Sequence, residues 1–191
     1  MPRYSLLALL AFGVASPALA EWSLDMETSD LSFVSIKAVD IAEVHHFTRL
    51  GGRISDKGKA IISIDLSSVS TGIEVRDERM QAMLFDIDNY PVANISAKID
   101  MEELEELMPG ISTRRDTDFQ LELHGTESTI SADIIITRLS ETALTVSTAR
   151  PIILSASSVG LGDGVEALRK IANLPSIGIS VPVNFVLTFT R

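Results

Sequence analysis

Ile177-Gly178-Ile179-Ser180-Val181-Pro182-Val183-Asn184-Phe185-Val186-Leu187-Thr188-Phe189 decides the fold class of this chain. Ile177, Ile179, Val181, Val183, Phe185, Leu187 and Phe189 recur at every second position, and the residues between are mostly small or polar. Successive side chains of a strand point to opposite faces, so this period means one long strand with one buried face. At about 3.3 Å per residue it spans roughly 40 Å, about twice the usual strand. Such a strand needs a tall wall, as in a long antiparallel barrel or sandwich. Pro182 has no N–H for a ladder and marks a bulge, a bend or an edge.

The rest of the chain supplies partners for it. Trp22 to Met26, Asp30 to Lys37 and Ile41 to Thr48 read as strands, with Gly51-Gly52 and Lys57-Gly58 as turn signals. Ala60, Ile62, Ile64 and Leu66 alternate with more polar residues, as do Ala93, Ile95, Ala97 and Ile99. Phe119, Leu121 and Leu123 repeat the pattern, and so do Ile130, Ala132, Ile134 and Ile136. Two further strands flank Arg150-Pro151. A helix is expected from Thr71, whose spacing to Glu74 is that of a capping box, to just before Asp86, with Ile73, Met80, Met83 and Leu84 on one face. A second is expected over Gly164 to Asn173, with Asp163 as N-cap and Pro175 closing it. Met101 to Met108 reads as a short acidic turn of helix or loop. About eight strands with no βαβ alternation predict an all-β fold with two short helices, an eight-stranded antiparallel β-barrel.

Residues 1–20 carry one charge, Arg3, then an apolar run from Leu6 to Val14 and Ala18-Leu19-Ala20. This is the pattern of a secretory signal peptide, with cleavage expected after Ala20. One domain is expected over 21–191, with no transmembrane segment in the mature chain. The net charge of −10 repels nucleic acid and anionic headgroups. There is no cysteine, so an exported domain has only core burial to hold it. Export with no disulfide suits a periplasm.

The run Ser67-Ser68-Val69-Ser70-Thr71, then Arg76-Asp77, Phe85 and Tyr90-Pro91, resembles the YceI-like family. Leu121-Glu122-Leu123-His124-Gly125 is similar to its later strand-and-turn element. The resemblance covers nearly all of residues 21–191. It implies a secreted or periplasmic, lipocalin-like barrel that carries a polyisoprenoid or isoprenoid quinone. Two places depart from the family pattern. Ala156 and Val159 stand where many members have an Arg and an aromatic residue, and His46 precedes Phe47 where many have Gly.

Other chemistries lack their parts. His45 and His46 are adjacent on a strand and point to opposite faces, and no H-E-x-x-H occurs, so no metal site is expected. Asp86, Asp88 and Asn89 read as a solvated turn, since an EF-hand loop begun at Asp86 would place Ala97 at its bidentate Glu. No G-x-S-x-G is present and nothing ties a serine to His124, so no enzyme is expected. Arg76 and Asp77 are expected in polar contacts between helix and barrel. The apolar strand faces remain. By strand parity the cavity-wall candidates are Phe33, Phe47, Ile62, Ile64, Ile95, Leu121, Leu123, Ile134, Val183, Phe185 and Leu187. Composition alone leaves open whether these faces fill one another as a solid core; the long strands and small residues such as Ala60, Ala93, Ala97 and Ala132 favour room for a guest. Burial is worth about 0.8 kcal/mol per methylene, so each isoprene unit adds roughly 3 kcal/mol before ordering costs. The expected function is a periplasmic carrier that sequesters an isoprenoid lipid or quinone, with no cofactor required. A hydrolase on a barrel scaffold and an integral outer-membrane barrel are the alternatives, and the sequence leaves a homodimer open.

Overall fold

The computed structural model describes residues 21–191. The expected leader lies outside them. Strands β1 (Trp22–Lys37), β2 (Ile41–Phe47), β3 (Leu50–Ile54), β4 (Lys59–Asp65), β5 (Val69–Ser70), β6 (Val92–Lys98), β7 (Ser112–Leu123), β8 (Thr126–Ser140), β9 (Ala143–Thr148), β10 (Ile152–Ser155) and β11 (Ser180–Thr190) form one antiparallel sheet. Its order is β10-β11-β9-β8-β7-β6-β4-β3-β1-β2-β5, and β11 also pairs with β1. That pairing closes the sheet into an eight-stranded barrel, β1-β3-β4-β6-β7-β8-β9-β11. β2 and β3 follow one another along β1 as one broken wall strand, and β9 and β10 do the same along β11.

The closing strand is shorter than its periodicity suggests. β11 begins at Ser180; Ile177 makes only an isolated bridge to Lys37, and Ile179 is half exposed. Pairing of β11 with β1 stops at Phe33↔Val183, so Pro182 lies beyond it, on a stretch laddered to β10. The two expected first strands are one, β1, with an irregularity between Asp25 and Asp30. Gly51-Gly52 is no turn. Both lie within β3, and a Cβ on Gly52 would meet Ile62 Cδ1 at 2.7 Å. Gly52 pairs with Ile62 on β4, so it belongs to the ladder and not to a turn.

Three short helices are present rather than two: α1 (Glu74–Arg79), α2 (Met101–Glu106) and α3 (Gly162–Ile171). α1 runs on into a π-helical turn, Met80–Phe85, that ends at Asp86 with φ 50°. The expected capping box does not form. Ile73 is the N-cap, and the Thr71 N–H and hydroxyl both donate to the Asp77 carboxylate instead. Ile73 is exposed, whereas Met80 and Leu84 are buried. Leu161, not Asp163, caps α3, which starts two residues early because the preceding 3-10 turn, Ala156–Val159, leads directly into it.

Both ends of the barrel are covered. At one end Trp22 is buried between the guanidinium groups of Arg138 and Arg191, 4.9 and 4.4 Å from its ring. Arg138 is itself buried and donates to the carbonyls of Leu104, Ser140 and Glu141. At the other end Leu66, Val69, Met80, Leu84, Phe85, Val159 and Leu161 form an apolar cover. α3 lies on the π-helical turn at Gly164, where a Cβ would approach Met83 O to 2.7 Å and Leu84 Cα to 2.8 Å. Backbone atoms cannot step aside as a side-chain tip can. Gly164→Ala is therefore expected to lower stability by about 1–3 kcal/mol, read as a lower urea midpoint at unchanged m.

Candidate functional site

Ladder register places the parity-selected residues on one inner surface. Directly paired residues share a face. Gly52, Ile62, Ile95 and Leu121 are successive partners across β3, β4, β6 and β7. Leu50, Ile64 and Ala93 make the row beside them. Ile136, Val146 and Leu187 continue the surface across β8, β9 and β11, with Ile134 one pleat along. Phe185 pairs with Leu31, and Val183 with Phe33.

Burial divides the eleven candidates. Ile62, Ile64, Leu121, Leu123, Ile134, Phe185 and Leu187 are buried in the core, and Phe33, Phe47 and Ile95 are half-buried against it. Val183 is half-buried at the end of the β1 ladder. Aromatic rings carry much of the interior. Phe47 touches both Phe33 and Phe85, at centroid distances of 5.5 and 5.8 Å. Phe119 meets Phe185 edge-on at 6.4 Å.

A cavity of about 610 Å³ lies where the wall parts between β8 and β10. This is within the usual range for a small-molecule site, about 300–1,000 Å³. The β8–β9 ladder runs only from Ile134 to Ser140. Among the described residues, β8 from Thr126 to Asp133 is laddered to β7 alone, and β10 to β11 alone. The slit between them is bridged at its two ends, by Ala149 N–H to Asp133 O at 2.8 Å and by Ser128 Oγ to Ser158 O at 3.2 Å. Ile130, Ala132, Ile152 and Leu154 line it with inward-facing carbon. Phe119 pairs with Ile130, so the Phe119–Phe185 contact lies on the same inner face as this apolar wall.

None of the eleven candidates lines this cavity. Ile130, Ile152 and Leu154 belong to strands legible in the sequence, but the parting of β8 from β10 is a register event. Arg150-Pro151, which interrupts the β9–β10 wall strand, is the one local sign of it.

Arg150 and Asp133 also border the slit. Asp133 sits on the outer face with only 7 % of its side chain exposed, between Arg114 (Nε at 2.8 Å) and Arg150 (Nη2 at 2.8 Å). Hydrogen bonds, first from Arg114 and then from Arg150, hold its carboxyl at about 2 against the cost of desolvation.

The histidines part as the strand geometry requires. His46 faces outward onto Asp30 at 2.9 Å. His45 faces inward, buried, with Nε2 2.8 Å from Ser35 Oγ. Arg76 and Asp77 make helix-to-barrel contacts: Arg76 reaches Glu43 on β2 at 2.8 Å, and both bond to Thr71. Asp86 accepts from the Asn89 and Tyr90 N–H groups, forming a tight turn after the helix.

The YceI-like domain model matches residues 22–189. A structure described as a polyisoprenoid binding domain from Saccharophagus degradans is 38 % identical, covers 89 % of this chain and 98 % of its own, and superposes with a TM-score of 0.88. Burkholderia cenocepacia BcnA, at 17 % identity and TM-score 0.67 over 86 % of this chain and 98 % of its own, shares the fold. So does the Campylobacter jejuni YCEI protein, at 13 % and 0.56 over 100 % and 99 %. No curated protein compared with the chain matches it.

The Asp133 carboxylate is stabilised by folding, because its folded pKa lies below the ordinary value of about 3.9. Its contribution is present above pH ~4 and lost as the pH falls through about 2. The stability gap between wild type and Asp133→Asn is expected to shrink across that window in urea titrations. With the strands closed around one inner face, and with that match spanning almost every described residue, the chain belongs to the YceI-like family.

Proposed function

We infer that this protein binds an isoprenoid lipid, a polyprenyl chain or an isoprenoid quinone, and carries it through water. The observation that supports this best is the parted wall. A cavity of about 610 Å³ opens between β8 and β10, where the inward-facing Ile130, Ala132, Ile152 and Leu154 meet a rim of Ser128, Ser131, Asp133, Arg150 and Ser155. A branched hydrocarbon tail suits the inward-facing Ile130, Ala132, Ile152 and Leu154, because it needs burial and offers few polar groups. The polyisoprenoid-binding description of the Saccharophagus relative, at 38 % identity, supports the same ligand class. The leader pattern at residues 1–20 supports export, with periplasmic residence as the reading.

Catalysis is not needed for such a role. Ser35 and His45 stand at hydrogen-bond distance, as a nucleophile and base would, but His45 Nδ1 has no carboxylate to orient it. An outer-membrane barrel would turn an apolar band outward. Here the outer positions of β7 and β8 include the exposed Arg114, Asp116, Asp118, Gln120, Glu122, Glu127, Thr129 and Ser131, with Ile135 the apolar exception on β8. No helix among the described residues is long and apolar enough to cross a membrane.

Native mass spectrometry of protein never exposed to detergent, followed by organic extraction, is expected to show bound lipid with a five-carbon mass repeat. Repeated recovery of lipid-free protein would sink the reading. Ile130→Asp puts a carboxylate on the inward-facing apolar side of the slit and is expected to cut lipid occupancy at least tenfold in the same assay.

A further inference from the structure

Among the described residues two buried side-chain nitrogens lack a hydrogen-bond partner, Trp22 Nε1 and His45 Nδ1, and of the two side chains only His45 carries a ring that can either donate or accept there. It is 2 % exposed, and its Nδ1 is shut from water with no hydrogen-bond partner. A buried donor or acceptor left in that state is unfavourable, and native proteins rarely keep one without a use. Burial pushes the imidazole below its ordinary range, and the nearby Arg76 adds to this, so the ring is neutral at pH 7.

Its position links it to the cavity. Ile152 pairs with Val183, Val183 with Phe33, and Phe33 with His45. These four side chains form one inner-face row across β10, β11, β1 and β2. Ile152 lines the slit. Three inter-strand steps of about 4.8 Å put His45 roughly 14 Å from it, at the far end of a row of apolar side chains. Phe33 flanks the ring at a centroid distance of 5.2 Å. Beyond His45 this end of the barrel turns polar and partly exposed. Ser35 holds Nε2, and above it Glu43 takes both Lys37 (2.7 Å) and Arg76 (2.8 Å). Arg76 also donates through Nε and Nη2 to the Thr71 hydroxyl and carbonyl. The cations at this end are thus already engaged, and Glu43 and Asp77 balance them.

We propose that His45 is a head-group residue: its Nδ1 hydrogen-bonds an uncharged oxygen, carbonyl or hydroxyl, at the polar end of an isoprenoid whose tail lies along this row toward the slit. This rests on the isoprenoid-binding reading above. A phosphate or diphosphate head would find a neutral ring and neutralised cations, and is selected against. A carbonyl oxygen requires N–H at Nδ1, which arises when the Ser35 hydroxyl donates to Nε2; a hydroxyl is served by either tautomer.

The test compares ubiquinone, a polyprenol, a polyprenyl phosphate of matched length, and squalene as the headless hydrocarbon. Wild type is expected to bind the quinone or the polyprenol about tenfold tighter than squalene, and His45→Phe to bring that ratio near one. The tighter of the two neutral lipids identifies carbonyl or hydroxyl as the source. A ratio unmoved by His45→Phe, or a phosphate that outbinds both neutral lipids, overturns the inference while leaving the carrier reading standing. Failure of all four to bind wild type overturns both. Nitrogen NMR of the imidazoles needs no variant, and the sequence has only three histidines to assign. The His45 Nδ1 resonance is expected to shift with an oxygen-headed lipid and not with squalene; an unmoved resonance counts against the proposal.

Discussion

The antiparallel ladder between the first and last strands is the constraint on which everything else rests. β1 and β11 meet at Ser23↔Thr190 and stay paired, across one irregularity, to Phe33↔Val183. Side chains span the irregularity: Ser29 Oγ accepts from the Thr188 N–H at 2.9 Å, and the Thr188 hydroxyl donates to Thr28 O at 3.1 Å. Without this seam the sheet would have two long exposed edges and no inside. With it, alternation along each strand becomes a division between a greasy lumen and a charged exterior.

Closure also explains where the barrel stays open. Two of its wall strands are broken, β2/β3 at Thr48-Arg49 and β9/β10 at Ala149-Arg150-Pro151. The first break is healed from within, because Ser68 receives the Thr48 N–H on its carbonyl and the Arg49 N–H on its hydroxyl. The second is bridged only at Asp133 and Ser158, and between those points β8 and β10 stand apart. A closed barrel cannot lose a ladder without exposing its interior. The cavity therefore opens sideways through the wall, while the Trp22–Arg138–Arg191 stack and the helical cover close the two ends.

The local pattern of the chain was enough for the strands, their inward faces and the class of fold. Period-two alternation at Ile62, Leu121, Phe185 and their neighbours depends only on the pleat, which every strand shares. It also served for the opposite aims of His45 and His46. It failed where a residue answers to something distant in sequence. Thr71 has a capping partner three residues away but bonds Asp77 and Arg76 instead, and the same Arg76 reaches Glu43 on another strand. Gly51-Gly52 has turn composition, yet both lie inside β3, paired with Ser63 and Ile62 of a strand further along the chain.

The functional surface shows the same divide. Which side chains face inward was readable from alternation alone, because orientation in a strand is a local property of the backbone. Which inward residues pack solid and which border a cavity was not, since that depends on pairing between strands far apart in the chain. Ile130 and Ile134 are four residues apart on one face of one strand, yet Ile134 is sealed in the core and Ile130 lines the slit. Only the tertiary structure separates them, because the β9 ladder begins at Ile134 and leaves Ile130 facing a gap.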